Sequence, residues 1–352
     1  MLTPKIAIVI LNWNGAADTL ECLRSVCGIE YSNFEILVVD NGSTDGSVEA
    51  IRQYNPSIRI IETGGNLGYA AGNNVGIRVA LKDGSDFVLL LNNDTIVDSA
   101  LVKKFVVAAG TIPNAGILGA KIYFYSEKKK ISYAGGKWKN IFSGCTHIGE
   151  GVLDDGQSFN RVDETDFVTG CALFIRREVI EAIGLLDERF FLTFEDTDWY
   201  YRARRRGYQC IFVPSSIVWH KVAASFAGEN SPLRVYFSSR NRLLWAEKHL
   251  NWLQRVGLHV QTYGVMAKHF LHPIFSTGEP INPKRRYWEF MGGLRSPLNK
   301  ARLFGVRDFW LRRFGNCPDE IRKLNLQWIK TYKMKKSLEG KRPLNAKMHV
   351  QA

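Results

Sequence analysis

The sequence predicts an α/β fold, in which a mixed, mainly parallel sheet is flanked by helices and is followed by a basic, mainly helical extension. Two observations lead to this fold class. Short apolar runs alternate with amphipathic segments through the first half of the chain, as in successive βαβ units. Polar residues follow directly after several of these runs, and ligands of open α/β sheets bind at the carboxyl ends of the strands.

The alternating elements can be placed one after another. The apolar runs are hydrophobic along their whole length, which is typical of parallel strands that are buried on both faces. Strands are predicted at 5–13, 34–40, 58–63 and 86–92, with helices at 16–26, from the turn at 40–43 to about 54, and at 68–81.

The pattern weakens in the middle of the chain and then returns. Residues 135–166 contain many Gly and Asp residues and are predicted to form loops or a hairpin. A strand followed by a helix is predicted within 167–184, and a further helix within 190–208 is expected to end at Gly207. Beyond about Gly228 the chain becomes helical, aromatic and basic.

These patterns predict two domains. We expect an α/β domain over residues 1–230, with a first half that ends at about residue 120 and a second half over 121–230. A basic, mainly helical extension is expected over 231–352, with a flexible tail from about residue 333.

The positive charge lies in the extension. Residues 231–352 contain 24 Lys and Arg against 7 Asp and Glu, whereas residues 1–230 contain 23 against 27. Such asymmetry predicts contact with an anionic membrane surface or a phosphate-bearing partner, although a helical subdomain with a solvated basic face would also produce it. Nucleic acid is not the expected partner, because no nucleic-acid-binding motif accompanies the charge.

The chain is expected to be cytoplasmic and peripheral on the inner face of the cell membrane. The apolar run Ile6–Leu11 is too short for a signal peptide, and no stretch approaches the roughly 18–20 apolar residues that span a bilayer. The six cysteines show no C-x-x-C pair, which favours reduced thiols over a disulfide framework or a zinc site.

Polar residues follow the first two predicted strands. Asn12 and Asn14 come after the first strand, and the second ends in Asp40, Asn41 and Gly42. Asp and Asn followed by Gly form tight turns that can cap the next helix. The same residues at a strand's carboxyl end could instead bind a nucleotide, with Asp40 accepting a hydrogen bond from the base.

The segment at 64–76, GGNLGYAAGNNVG, leads into the third predicted helix. A helix N-terminus with free backbone N–H groups favours phosphate, so Asn66, Gly68, Gly72 and Asn73 are candidate donor-binding residues. Close packing of the helix on the sheet would equally explain the glycines.

The fourth strand ends in Asn92, Asn93 and Asp94. Oxygen ligands two residues apart suit a hard divalent cation, Mg²⁺ or Mn²⁺, bound to substrate phosphates. Asp94 with Asn92 has that spacing, and His220 in VWHK is a candidate further ligand. A helix N-cap is the alternative explanation for Asp94, as is a structural role for His220.

A second group of acids opens the helix at 190–208. Glu195, Asp196 and Asp198 lie in its first turn, where the helix dipole favours negative charge, and Asp198 with Arg202 forms an i,i+4 pair. Helix capping would account for one such acid, and three acids exceed what a cap requires. A general base that deprotonates a hydroxyl would also need an ionised carboxylate at such a position.

Taken in order, these motifs resemble the family 2 glycosyltransferases of the GT-A fold, in particular their rhamnosyltransferase-like branch. The resemblance covers about residues 5–245. It runs through VILNWNG, VVDNGSTDGS, NLGYAAGNNVGI, LLLNNDT, VTGCALFIRR, FEDTDWYYRAR, VWHK and YFSSRNRL. It implies that residues 1–230 form a GT-A catalytic domain, with a nucleotide-sugar-binding half to about residue 120 and an acceptor and catalytic half beyond it.

The resemblance also implies roles for individual residues. The Asp40 turn would hold the nucleotide, the Gly/Asn segment would lie along the donor, and the D-x-D position would bind the metal. This chain departs from D-x-D at Asn92, which puts strict metal dependence in doubt. The second acid of the E-D pair, Asp196, would be the catalytic base, and Glu195, Asp198 and Arg202 would be further catalytic residues that support it. Gly170, Cys171 and Trp199 would face the acceptor.

The activity implied is inverting transfer of a sugar, rhamnose or another hexose, from a nucleoside diphosphate sugar. dTDP-rhamnose is the favoured donor, with UDP- and GDP-sugars as alternatives. The acceptor would be a hydroxyl of a growing glycan or a lipid-linked acceptor in cell-surface polysaccharide synthesis. Two other functions stay open: a non-catalytic nucleotide-sugar or glycan-binding protein, and a sugar-phosphate nucleotidyltransferase. The second would need a Gly-rich, Arg- or Lys-containing loop that does not follow Leu11.

Overall fold

The computed structural model of the chain describes residues 3–140, 144–221, 231–275, 292–293 and 295–339, the side chains of 140, 269–275 and 332–339 excepted. The chain forms two compact units. The first comprises Met1–Val222 with Phe314–Asn316, and the second comprises Ala223–Arg313 with Cys317–Ala352. The division at residue 222 lies close to the boundary at 230 that the sequence predicts.

The first half of the first unit is a series of βαβ units. Its strands pair in parallel, β1 with β2 and β4, and β2 with β3. The elements are β1 (Ile6–Asn12), α1 (Ala16–Val26), β2 (Phe34–Asp40), α2 (Ser47–Tyr54), β3 (Arg59–Glu62), α3 (Gly68–Lys82) and β4 (Phe87–Asn92). Each predicted strand and helix of this region is confirmed, because continuous apolar runs left no ambiguity between the two.

The second half of this unit extends the sheet with strands that pair mostly antiparallel, and it adds a separate hairpin and three α-helices. A short 3₁₀ turn, Glu188–Phe190, precedes α6. The elements are β5 (Thr95–Val97), α4 (Leu101–Thr111), β6 (Ala115–Phe124), β7 (Glu127–Tyr133), β8 (Gly136–Asn140), β9 (Gly144–His147), β10 (Asp163–Thr165), β11 (Ala172–Arg176), α5 (Arg177–Ile183), α6 (Glu195–Arg205) and β12 (Gln209–His220).

The strand order creates a crevice at the carboxyl edge of the sheet. The path runs β10-β12-β6-β11-β4-β1-β2-β3, with β5 paired to β12 and β7 to β6, while β8 and β9 form a separate hairpin. The chain moves outward from β1 through β2 to β3, and then returns to place β4 on the other side of β1. The loops after β1 and β4 therefore diverge, and such a switch point is where open α/β sheets bind ligands.

The core of the first unit lies on both faces of this sheet. Residues Ile6–Ile10 of β1 are completely buried, as expected for a central parallel strand. On one face Phe174 stacks on Phe87 and Phe105, with ring centroids 4.8 and 5.0 Å away. Elsewhere α3 lies so close to the sheet that a Cβ at Gly76 would be 2.4 Å from Val9 Cγ1.

Replacing Gly76 by Ala should destabilise the protein by about 1–3 kcal/mol, because the stiff side chains of Val9 and Val39 would have to move. Gly110→Ala is the matched control, since Gly110 is also helical and a Cβ there meets nothing within 4 Å. That control should stabilise slightly. Urea unfolding measures both, and equal shifts for the two variants would contradict the close packing.

The second unit contains the helices α7 (Pro232–His249), α8 (Trp252–Phe275), α9 (Pro297–Trp310) and α10 (Asp319–Glu339). Ser231 caps α7 by accepting the Arg234 N–H at 3.3 Å. The α7–α9 contact contains a buried polar pair, in which Tyr236 donates to Asp308 at 2.9 Å.

The predicted extension differs from the structure at the end of α10, and parts of it lie outside the described residues. The helix α10 continues to Glu339, past residue 333, where the sequence predicts a flexible tail to begin. The basic cluster Lys284–Arg286 and residues 340–352 lie outside the described residues. Among the helices described, none is long and apolar enough to cross a membrane.

Candidate active site

Hydrogen bonds around the buried side chain of Asn12 join the carboxyl ends of β1 and β2. Its amide donates to Asp40 Oδ1 at 2.8 Å and to the Ser43 hydroxyl at 3.0 Å. Its oxygen accepts from Thr19 at 2.8 Å and from Asn93 at 3.4 Å. Because Asp40 Oδ2 also accepts the Ser43 backbone N–H at 2.9 Å, both oxygens of this carboxylate are engaged. Asn12 and Asp40, 0% and 2% exposed, therefore fix the shape of the loops.

Trp13 and Asn14 are exposed in these loops, and Gly42 is half-buried. Trp13 is 55% exposed, directly after β1. The Asn14 backbone N–H donates to the Ser43 hydroxyl at 2.9 Å, so the two loops are bonded to each other. Gly42 has φ 76°, and a Cβ there would lie 2.5 Å from Gly65 Cα. Only glycine fits this position, where the Asp40 turn packs directly on the backbone of Gly65.

Asn41 joins the Asp40 turn to the start of α3. Its side-chain oxygen accepts the Leu67 N–H at 2.9 Å, and its amide donates to the Gly68 carbonyl at 3.1 Å and to Asn66 Oδ1 at 3.3 Å. A Cβ at Gly72 would lie 3.2 Å from the same amide nitrogen. The candidate donor residues of the two motifs are therefore brought together.

Asp94 and His220 meet although 126 residues separate them, with Oδ1 of Asp94 3.0 Å from Nε2 of His220. The antiparallel pairing of β5 with β12 sets Thr95 opposite His220, and the Lys221 N–H donates to the Asp94 carbonyl at 3.0 Å. Burial alone would lower the pKa of His220, but the Cys171 thiol and the Asp94 carboxylate raise that pKa to about 11.

This pair of ligand atoms suits a hard divalent cation that displaces the proton from His220 Nε2, because an imidazole binds a metal through an unprotonated nitrogen. Neighbouring ligands about 2.1 Å from an octahedral ion lie about 3.0 Å apart, which matches the Asp94–His220 spacing. In the described part of the chain no group of three His, Cys, Asp or Glu side chains could hold a metal ion. Such an ion would therefore need substrate oxygens or water as further ligands, as Mg²⁺ commonly does.

Asn92 and Asn93 lie beside this pair. Asn92 ends β4 opposite Leu11 of β1, and its backbone N–H donates to the Cys171 carbonyl at 2.9 Å. Asn93 Nδ2 donates to the Thr19 hydroxyl at 3.0 Å. Asn93 thus connects the loop that carries Asp94 to the Asn12 network.

Glu195 and Asp196 begin α6 in different environments. The half-buried Asp196 carboxylate accepts the Thr197 N–H at 2.6 Å, the Thr197 hydroxyl at 3.2 Å and the Gly170 N–H at 3.3 Å. Glu195 is 5% exposed, and its Oε2 is buried with no hydrogen-bond donor from the described residues. Hydrogen bonds from the protein therefore stabilise a charge on Asp196, whereas Glu195 Oε2 receives none from the described residues.

This difference in environment gives the carboxyls of Glu195 and Asp196 different pKa values. Burial raises the pKa of both carboxyls, and the neighbouring Asp196 charge raises the pKa of Glu195 further, well above its usual range. Hydrogen bonds from Thr197 and Gly170 oppose the rise in the pKa of Asp196, since they favour the charged form. In this coupled pair Glu195 keeps its proton and Asp196 ionises first.

The backbone that leads into this pair is strained. Phe191, Thr193 and Phe194 have φ of 62°, 66° and 74°, a region that side chains other than glycine rarely adopt. Such residues cost ~1–3 kcal/mol each and persist only where packing imposes them. The Phe191 carbonyl accepts the Tyr69 backbone N–H at 2.7 Å, which ties this segment to the first turn of α3.

Gly170 and Cys171 connect the two centres. The Gly170 N–H donates to Asp196, and its carbonyl accepts the Tyr69 hydroxyl at 2.7 Å. Cys171 lies close enough to His220 to raise the pKa of that imidazole. Two consecutive residues therefore lie beside the two centres, Gly170 at Asp196 and Cys171 at His220.

Four sequence-predicted site residues have structural contacts instead. Trp199 is fully buried and donates to the Gly184 carbonyl at 2.8 Å, so it does not face an acceptor. Asp198 is fully buried against Arg202 at 2.8 Å, and Arg202 donates to the Leu185 carbonyl at 2.7 Å. These three side chains support the C-terminal end of α5.

Asn73, the fourth, is 2% exposed and donates to the Tyr69 carbonyl of its own helix at 2.9 Å. This bond stabilises the first turn of α3, so the Asn73 amide binds its own helix instead of a nucleotide-sugar donor.

Replacing Asp198 by Ala should cost about 3–5 kcal/mol of stability, because the change leaves Arg202 without its buried partner. Glu181→Ala is the control, since Glu181 forms the same i,i+4 pair with Arg177 at the surface and should cost under about 1 kcal/mol. Urea unfolding compares them. A small loss of stability combined with lost activity would return Asp198 to the catalytic residues.

The structure also adds residues that the sequence did not indicate. The hydroxyls of Ser43 and Thr19 bind Asn12, and Tyr69 binds Gly170 beside the acid pair. Ser43 lies within the turn motif and could have been proposed from it. Thr19 and Tyr69 lie on helices, where nothing in the sequence separates them from other helical residues.

The fold and site define a GT-A-type transferase. The mannosyltransferase PcManGT from Pyrobaculum calidifontis, solved with GDP-Man and Mn²⁺, has the same fold, with a TM-score of 0.56, 14% identity and 89% of each chain covered. Residues 7–184 match the family described as glycosyl transferase family 2. The chain belongs to this family, and it is a glycosyltransferase.

Two curated relatives are rhamnosyltransferases. The N-acetylglucosaminyl-diphospho-decaprenol L-rhamnosyltransferase of Mycobacterium tuberculosis is 26% identical over 269 residues, which cover 71% of this chain and 87% of the relative. The dTDP-rhamnosyl transferase RfbF of Shigella flexneri is 24% identical over 255 residues, which cover 70% and 82%. The rhamnosyltransferase-like resemblance inferred from the sequence is confirmed.

Proposed function

We propose that this glycosyltransferase transfers a deoxyhexose, rhamnose, from a nucleoside diphosphate sugar to a glycan hydroxyl with inversion at the anomeric carbon. The observation that carries this proposal is that Gly170 donates its N–H to Asp196 while the next residue, Cys171, lies beside His220, which contacts Asp94 at 3.0 Å. It sets an ionisable, half-buried carboxylate beside a pair of candidate metal ligands, which is what a displacement from a diphosphate requires.

The donor occupies the switch-point crevice in this proposal. The Asn12 network and Asn41 keep the loops in shape, while exposed Trp13 offers a flat apolar surface to the nucleobase. Relatives named as a dTDP-rhamnosyl transferase and as an L-rhamnosyltransferase favour dTDP-rhamnose. UDP- and GDP-sugars are the competing donors.

Asp94 and His220 would hold a divalent cation, Mg²⁺ or Mn²⁺, with Asn92 as the nearest further candidate. The solved mannosyltransferase of the same fold contains Mn²⁺, which supports a cation in that protein's site. A bound cation would stabilise negative charge on the departing diphosphate.

The protein's own contribution is proton transfer at Asp196. Its free oxygen lone pairs accept the proton of the acceptor hydroxyl, whose oxygen then bonds to the anomeric carbon while the bond from that carbon to the diphosphate oxygen breaks. Hydrogen bonds from Thr197 and Gly170 keep Asp196 ionised and fix its direction. The protonated Glu195 avoids a second negative charge beside it.

The acceptor is proposed to be a lipid-linked glycan in cell-surface polysaccharide synthesis, as the name of the mycobacterial relative indicates for that enzyme. Such a substrate would require the enzyme to work at the inner membrane surface, where the basic extension over 231–352 would face anionic lipid.

A donor screen tests this proposal. The chain is incubated with dTDP-rhamnose, UDP- and GDP-sugars, with Mn²⁺, with Mg²⁺ and with chelator, and released nucleoside diphosphate is measured. Preferential release from dTDP-rhamnose is expected. Binding without release would favour the non-catalytic alternative, and release of pyrophosphate from a nucleoside triphosphate and a sugar phosphate would favour the nucleotidyltransferase.

A further inference from the structure

The second unit exposes an aromatic face, formed by Trp252, Leu253, Val256, Val260 and Tyr263 of α8 with Trp310 of α9. These six side chains are 39–69% exposed. At 3.6 residues per turn, the five on α8 fall within about 100° of the helix circumference. Single exposed apolar residues are ordinary, but a continuous stripe of this length indicates a binding surface.

Contacts within the unit hold this face together. Trp310 Nε1 donates to the Tyr263 hydroxyl at 2.7 Å. The His259 ring lies 5.4 Å from Trp310 and 5.9 Å from Tyr263, measured between centroids. Leu258, on the opposite side of α8, is 1% exposed and packs inward. The helix thus has one buried side and one apolar side that faces outward.

The charges around the face favour an anionic occupant. The sequence of α8 contains no Asp or Glu, and Arg255 and Lys268 fall outside the two edges of the apolar arc. The one acid of α9, Asp308, is 1% exposed and accepts from Tyr236. No exposed carboxylate of these two helices would therefore repel an anionic surface.

We propose that the aromatic face binds the surface of an anionic phospholipid bilayer, with α8 parallel to the membrane plane. Trp and Tyr are the residues that prefer the headgroup region, where their rings are apolar and their N–H and O–H groups stay hydrated. The apolar stripe enters the interface, and the flanking bases contact lipid phosphates. The inference extends the proposed function, because it names the surface that would bring the enzyme to a lipid-linked acceptor.

The test is flotation of the full chain with vesicles of phosphatidylcholine containing phosphatidylglycerol, at physiological salt. Val260→Asp should weaken vesicle binding by at least about tenfold, because it places a charge in the centre of the apolar stripe. Leu326→Asp is the matched control, since Leu326 is 59% exposed on α10 of the same unit, and it should bind like the parent. Vesicles of phosphatidylcholine alone should bind more weakly than the mixed vesicles.

Three outcomes would overturn the proposal: no flotation of the parent chain, equal binding by Val260→Asp, or equal loss in both variants. Sedimentation equilibrium without lipid tests the alternative occupant of the aromatic face, a second copy of this chain. A dimer that Val260→Asp dissociates, with vesicle binding unchanged, would make the face an interface between copies. Because flotation needs no donor, a chain that floats without releasing nucleoside diphosphate would contradict only the proposed function.

Discussion

Asp196→Asn should lower kcat by at least ~10²-fold, the contribution expected of a general base, while donor binding stays near that of the parent. The amide keeps the shape of the side chain, and its oxygen can still accept from Thr197, but its NH₂ group can neither accept the Gly170 N–H nor take a proton from the acceptor. Single-turnover transfer, with donor affinity measured by calorimetry, separates the two effects. Near-normal turnover of this variant would remove Asp196 from the proposed mechanism.

Glu195→Gln is the matched control for that experiment. Glutamine has the shape of the protonated carboxyl that burial imposes on Glu195, so most of the activity should remain. If Glu195 were instead the base, the two variants would exchange their effects.

The pH profile provides a second measurement on the same pair. Burial raises the pKa of Asp196, so activity should fall on acidification at a pH above the ordinary aspartate range. Because Glu195 is already neutral, Glu195→Gln should leave this acidic limb in place. A shift of the limb to lower pH in that variant would mean that Glu195 carries a charge in the active enzyme.

Asp94→Asn should weaken Mn²⁺ binding by at least ~10²-fold, since even changes around a metal's ligands cost 10–100-fold in affinity. The readout is the Mn²⁺ electron paramagnetic resonance signal, titrated with and without nucleoside diphosphate, and it does not depend on turnover. His220→Gln should weaken binding in the same direction, because its Nε2 lies 3.0 Å from Asp94.

Asp98→Asn is the control for this second experiment. Asp98 follows β5, four residues further along the chain than Asp94, and its carboxylate accepts the Ala100 N–H at 3.0 Å near the start of α4. The Asp98→Asn variant should leave Mn²⁺ binding unchanged. Unchanged binding in Asp94→Asn would instead show that the cation, if used, is held elsewhere.

The fold was predictable because β1, β2 and β4 are continuous apolar runs, and because β1, β2 and β3 are each followed by a helix. The carboxyl-edge residues were predictable for a related reason, since strand ends are visible in sequence. The hydrogen-bond partners of these residues were harder to predict. Asp40 was expected to face the nucleotide, yet both of its oxygens are engaged by Asn12 and Ser43 within the loop.

The first turn of α6 shows where prediction failed. The sequence predicts Glu195, Asp196 and Asp198 as catalytic residues and Trp199 as an acceptor residue, because a sequence pattern does not state which side of a helix faces the core. Asp198 and Trp199 pack at the end of α5, and of these residues Asp196 is the one that accepts the Gly170 N–H. The left-handed backbone at 191–194 had no sequence signal, since aromatic residues and Thr rarely adopt it.

The meeting of Asp94 with His220 has a consequence for biosynthesis. His220 is the last residue of β12, and β12 completes the sheet beside β5 and β6. Under the proposed function, a ribosome that has released only the first half has made the loops of the switch-point crevice, but not His220, the proposed second ligand of the cation. The nascent chain would therefore stay catalytically silent until β12 has emerged and folded into place.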